Sequence, residues 1–207
     1  VSGHIKWSAS GHSERAEELS GGRDAFLEGA GRMLAEAHAW RPAMPELQRL
    51  RAGHAPALLA FERENRSYFA KFVPDRGDAY FAEFDVRHQS LIAEQDAGTC
   101  HFHVLVGGDG AGDILGRVNL VDVADGEAEL GYRIAESAAG RGLATSAVRQ
   151  MCGLARTEYG LSALRAATYA DNAASRAVLV RAGFIVVDEV EIEGRAEVRY
   201  RRSTAAG

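Results

Sequence analysis

Glu136-Ser137-Ala138-Ala139-Gly140-Arg141-Gly142-Leu143-Ala144-Thr145 opens a stretch in which Val148, Met151, Cys152, Ala155 and Tyr159 fall on one face at helical spacing. Just upstream, Ala128 to Ala135 (Ala-Glu-Leu-Gly-Tyr-Arg-Ile-Ala) reads as a strand, so Gly140 and Gly142 lie at a strand-to-helix turn. The first N–H groups of a helix have no partner inside it, and the positive end of the helix dipole adds to their pull on an anion. Glycine lets the main chain approach a phosphate closely, Leu143 and Ala144 start the helix, and Thr145 adds a hydroxyl donor. The pattern predicts a pyrophosphate cradle, with an ordinary glycine turn as the plain alternative. A dinucleotide fingerprint would place a third glycine where Thr145 stands and an acidic residue about 20 positions on. A P-loop would need Gly-Lys-Ser/Thr, which the sequence lacks.

A second segment decides between these readings: Ala170-Asp171-Asn172-Ala173-Ala174-Ser175-Arg176-Ala177-Val178-Leu179-Val180-Arg181-Ala182-Gly183-Phe184. In order and spacing, the two segments together resemble the GNAT superfamily of N-acetyltransferases. Gly131-Tyr132-x-Ile134 before the cradle and Asn172-x-x-Ser175 after it look like the ribosomal-protein N-terminal acetyltransferase branch. The resemblance spans roughly Met44 to Ser203. It implies an α/β (α+β) chain with the GNAT fold, a mixed, mostly antiparallel central sheet with helices on both faces. It divides the chain into an N-terminal extension at 1–43, an N-acetyltransferase domain at 44–203 and a tail at 204–207.

The same resemblance implies acetyl-CoA as cosubstrate, no metal, and transfer to a primary amine by direct attack in a ternary complex. The acceptor would be a protein or peptide N-terminal α-amine. Cofactor contacts are implied at Tyr132, Arg133, Ile134, Gly140, Arg141, Gly142, Leu143, Ala144, Thr145, Asn172 and Ser175. Strands splaying apart between 131–135 and 166–169 would leave main-chain groups for the pantetheine, with an N–H near Ile134 polarising the carbonyl. The sequence departs from the family pattern twice. Ala139 stands where a Gln or Arg is usual, leaving the phosphates to backbone donors. Leu179 occupies the place of the tyrosine that protonates the departing thiolate, so that role passes to Ser175. For a general base the branch suggests a Glu on the closing hairpin, met here by Glu191 and Glu193, with Glu129 as competitor.

The chain of 207 residues, 46% hydrophobic and 8% aromatic, suits one catalytic domain plus an appendage. Its formal charge of −5 and scattered Lys and Arg argue against a duplex nucleic-acid footprint. Any RNA contact would be indirect, through a ribosomal partner. Cys100 and Cys152 lack metal-ligand spacing and read as buried thiols in a reducing compartment. The apolar runs are too short to span a bilayer, and the amino terminus lacks a secretory pattern, so a cytoplasmic protein is expected. A homodimer is compatible with this reading.

Within 1–43, Gly and Ser mark a flexible start, and Asp24 is placed to cap a helix bearing Phe26, Ala30, Met33, Leu34 and Ala37. A strand is expected at 47–51, helices at 55–63 and 80–95, and strands at 100–106 and 114–123 around a glycine-rich turn at 107–113. Past the cradle helix come a strand at 164–169, a helix at 172–181 and a hairpin of 185–190 with 196–201. His101 and His103 read as strand residues rather than metal ligands. Two acidic clusters, Asp122/Asp125/Glu127/Glu129 and Asp188/Glu189/Glu191/Glu193, would either recruit a cationic acceptor or form solvated strand ends. Two other functions remain open: acetylation of a small amine such as an antibiotic, polyamine or amino acid, and a non-catalytic acetyl-CoA-binding regulatory module. A plain dinucleotide-binding domain ranks behind them.

Overall fold

The computed structural model describes residues 43–108, 112–192 and 194–205. The extension before Ala43, with its Asp24-capped helix, and the apex of the 107–113 turn lie outside the described residues. Seven described strands form one sheet: β1 (Ala43–Arg49), β2 (His101–Gly108), β3 (Ile114–Ala124), β4 (Glu127–Ile134), β5 (Ala163–Tyr169), β6 (Ile185–Ile192) and β7 (Arg195–Ser203). Their order is β1-β2-β3-β4-β5-β7-β6, antiparallel throughout except where β4 meets β5. That parallel joint needs a crossover, supplied by α5 (Leu143–Thr157). Helices α1 (Ala55–Glu64), α2 (Arg66–Phe69), α3 (Asp78–Ala82) and α4 (Phe84–Asp96) connect β1 to β2, and α6 (Ala173–Arg181) connects β5 to β6.

Strand alternation sends side chains to two cores. Val118 and Leu120 of β3 and Leu130 of β4 pack with Val148, Met151, Cys152 and Ala155 of α5. On the other face Phe102 and Val104 of β2 meet Leu58 and Phe61 of α1, Phe69 of α2 and Phe84 of α4. The expected mixed sheet with helices on both faces is therefore present. The expected α5 stripe holds at Val148, Met151, Cys152 and Ala155, while Tyr159 falls beyond the helix end.

Several details differ from expectation. β1 starts at Ala43 rather than Leu47 and runs through Pro45. Proline is tolerated because β1 is an edge strand and its register shifts between Ala43 and Glu46. The 80–95 helix is two, divided at Glu83, whose backbone (φ −99°, ψ 16°) leaves the helical region. The short α2 carries Phe69 into the core, and Asn65 before it donates to the Phe61 carbonyl at 2.9 Å.

The first acidic cluster gathers about the β3–β4 turn, and Asp188, Glu189 and Glu191 of the second lie along the edge strand β6. Asp122 and Asp125 adopt left-handed backbone (φ 50° and 51°) around the β3–β4 turn, a conformation Asp tolerates better than most residues. Glu127 meets Arg201 at 2.6 Å and Arg165 at 3.9 Å, and Asp188 faces Arg199 at 3.7 Å. Cys152 is buried and Cys100 only partly so, and burial raises both thiols above their ordinary range. Among the described residues no helix is long and apolar enough to cross a membrane.

Candidate active site

β4 follows β3 along its whole length to the Ile134–Gly116 pair, but it meets β5 only at Glu127–Ala163, Ala128–Leu164 and Glu129–Arg165. Beyond Arg165, β5 continues to pair with β7 alone as far as Tyr169. The two strands therefore part after Glu129, leaving main-chain groups of 130–134 and 166–168 facing a cavity of about 590 Å³. This is the splay expected between these segments. Both faces of β4 contribute to the lining, Leu130, Tyr132 and Ile134 from one and Gly131 and Arg133 from the other. The cavity thus passes through the sheet.

At one end stands the cradle. Gly140 (φ 74°) and Gly142 (φ 78°) both take left-handed backbone, and a Cβ built on either would meet no protein atom within 4 Å. Those Cβ positions point into open space that a larger residue would fill. Gly142 is the N-cap of α5, and no side chain caps the helix. The amides of the first turn are left for a ligand or solvent, as an anion site requires.

At the level of α6, Asn172 caps the helix by accepting from the Ser175 N–H at 3.1 Å. The Ser175 hydroxyl lies 2.9 Å from the Tyr132 hydroxyl. Burial raises the Tyr132 phenol above its ordinary range, partly offset by the Ser175 hydrogen bond. Leu179, fully buried, forms cavity wall and carries no proton to give.

The opposite face holds a charged cluster that sequence reading missed. Glu62 of α1, only 2% exposed, accepts from Arg117 of β3 at 2.8 Å and from Arg133 of β4 at 3.3 Å, with Arg76 at 3.9 Å. Arg76, Arg117 and Arg133 all line the cavity. Burial, with repulsion from Arg76 and Arg117, lowers the Arg133 guanidinium from its ordinary value against the pull of Glu62. One signal was available in the sequence: Arg117 is the single charge inside the mostly apolar run Ile114 to Val121.

Of the residues expected from sequence, Tyr132, Arg133, Ile134, Gly140, Gly142, Leu143, Ala144, Thr145, Asn172 and Ser175 come together on this cavity. Arg141 is exposed and outside the lining. Glu129 is also outside it, in the closed part of the β4–β5 ladder opposite Arg165. Glu191 sits exposed on the edge strand β6, separated from β5 by β7, and does not reach the cavity. Glu193 lies outside the described residues.

The sheet parted between β4 and β5 and the glycine turn before α5 are the features that the resemblance to the N-acetyltransferases implied. The sequence profile of the acetyltransferase (GNAT) domain matches residues 46–185, and the chain belongs to that family of N-acetyltransferases. No curated protein matches it in sequence. Among solved structures it is similar to the ribosomal-protein-S5-alanine acetyltransferase of Vibrio fischeri (TM-score 0.72, 18% identity, 76% of this chain and 92% of that one). It is also similar to Mycobacterium smegmatis RimJ in complex with CoA-disulfide (TM-score 0.69, 22% identity, 78% and 85%). A third relative is spermidine N-acetyltransferase from Vibrio cholerae in complex with CoA and spermine (TM-score 0.64, 16% identity, 78% and 96%).

Proposed function

We propose that the protein transfers the acetyl group of acetyl-CoA to a primary amine by direct attack within a ternary complex. The carrying observation is the gap between β4 and β5, with the uncapped first turn of α5 at one end. In this reading the pyrophosphate rests on the amides from Gly140 to Thr145. The pantetheine takes the place of the missing strand contacts along β4, and the amine arrives from the face of Arg117 and Arg133.

Such a reaction needs little covalent chemistry: an aligned carbonyl, a donor for its developing charge, a neutral amine and a proton for the thiolate. The Ile134 N–H is assigned to the carbonyl and Ser175 to the thiolate. Tyr132, kept protonated by burial, holds the Ser175 hydroxyl and can replace the proton it gives. An α-amine, with a reference pKa of about 8 against about 10.4 for lysine, reaches its neutral form at about 3 kcal/mol less cost near neutral pH. That difference favours a peptide N-terminal α-amine over a lysine as acceptor and asks little of a base.

Gly142→Val tests the cofactor half of the reading. It places a branched side chain at a positive φ and in the space assigned to phosphate. Calorimetry should show acetyl-CoA affinity falling by about a hundredfold or more in a protein that remains folded, the scale expected when an anion loses its charge-assisted amide bonds. Unchanged affinity in the folded variant would remove the cradle from the proposal.

A further inference from the structure

The acceptor face of the cavity carries a charge imbalance that bears on which amine it takes. Arg76, Arg117 and Arg133 line it, and the single carboxylate among them is the buried Glu62. The nearby acids are engaged elsewhere. Asp75 and Asp78 each hold Arg66 at 2.6 Å, and Glu136 faces Lys71 at 3.6 Å. Among the described residues no Asp or Glu lines the cavity itself. Three guanidinium groups against one carboxylate leave two positive charges in a confined, partly desolvated space, where each is worth more to an incoming anion than on an open surface.

The phosphates of acetyl-CoA do not account for these arginines. Arg117 follows Gly116 and precedes Val118, whose side chain packs towards α5, so the arginine projects to the α1 face, where Glu62 meets it. The cradle belongs to the α5 face. Arg76 and Arg133 keep 30% and 21% of their side chains exposed, enough to reach a ligand, whereas Arg117 at 5% is committed to Glu62. Guanidinium groups left with spare donors beside a cavity are matched in shape and charge to a carboxylate.

We propose that the acceptor is an amine that carries a carboxylate close to its nitrogen, as in an N-terminal peptide with an acidic second residue, and that Arg76 and Arg133 hold that carboxylate. The proposal rests on the acetyltransferase reading of the same cavity and names its substrate class. It also sets this chain against polyamine acceptors, whose charges would meet like charges here.

The test uses the full chain saturated with CoA, titrated calorimetrically with matched pentapeptides that begin with Ser and carry Asp, Asn or Lys second. Spermine and a phosphoserine variant of the same peptide complete the set. The Asp peptide is expected to bind about tenfold or more tighter than the Asn peptide, the scale of one hydrogen-bonded charge pair, and to weaken as salt is raised. The Lys peptide and spermine should bind most weakly. In Arg76→Gln the Asp and Asn peptides should become nearly equal while the affinity for CoA stays the same. A phosphoserine peptide that outdoes the Asp peptide shows the same anion pocket tuned to phosphate and supports the proposal. Spermine or the Lys peptide binding as tightly as the Asp peptide overturns it, as does an Asp peptide no tighter than the Asn peptide. The CoA titration reports separately on the acetyltransferase reading: absence of CoA binding defeats that reading, while the peptide series, run without CoA, still decides the charge preference.

Discussion

Ser175 and Tyr132 approach to 2.9 Å across 43 residues of sequence, and we propose that this pair supplies the proton that Leu179 has no group to give. If Ser175 gives the proton and Tyr132 positions it, Ser175→Ala should lower kcat by about a hundredfold, the usual cost of losing general-acid help. Tyr132→Phe keeps the ring packed and removes only the hydroxyl, so a smaller loss, about tenfold, is expected. The double variant should cost little more than Ser175→Ala alone, because the two hydroxyls act as one unit. Single-turnover rates with an accepted amine, beside acetyl-CoA affinities unchanged within about twofold, would check this. Full additivity of the two losses would mean that the hydroxyls work separately.

At the scale of elements, the most crowded glycine among the described residues is Gly116 of β3. A Cβ there would stand 2.8 Å from the Arg133 carbonyl oxygen and 2.6 Å from Ile134 Cδ1. Gly116→Ala must push β4 outward where it borders the cavity, and a loss of about 1–3 kcal/mol in urea unfolding is expected, as for other overpacked sites. Acetyl-CoA affinity should fall with it. Gly131→Ala, whose Cβ meets nothing within 4 Å, should leave stability unchanged, which separates crowding from the mere loss of a glycine. The elements carrying the cradle were legible in sequence because their signals are local: glycines at a turn, an apolar stripe, an Asn cap three residues before Ser175. The arginine cluster was not. Its members come from a helix, a loop and two strands, and Glu62 lies 55 and 71 residues from the arginines it binds. No spacing rule joins them before the sheet exists. The Tyr132–Ser175 contact escaped for the same reason, and β1 was read short because a proline inside a strand makes sense only once the strand is known to lie at an edge.

For the molecule as a whole, histidines buried on β2 set a limit on acid tolerance. His103 accepts or donates across 3.0 Å to the Tyr159 hydroxyl, His101 stacks on the same ring at 3.6 Å, and the Nδ1 atoms of both lack partners among the described residues. Burial, with His101 and Arg49 nearby, pushes His103 down to about 4. The unfolded chain protonates this histidine near its ordinary value of about 6.5 while the folded chain does not. Stability should therefore be constant above about pH 7, fall by about 3 kcal/mol through this residue as pH drops from about 6.5 to about 4, and level off below. Urea unfolding across that window should show the slope, and His103→Gln should flatten it. A slope unchanged in the variant would assign the acid sensitivity to other groups.

The three residue pairs joining β4 to β5 have a mechanical consequence. The sheet is two panels, β1 to β4 and β5 with β7 and β6, fastened along a short seam at one end and free at the other. The joint has the form of a clothes peg: its closed end is the Glu127–Glu129 ladder, and its jaws face the cavity lined by 130–134 and 166–168. A guest that enters between the jaws therefore touches both panels at once, β4 from one and β5 from the other.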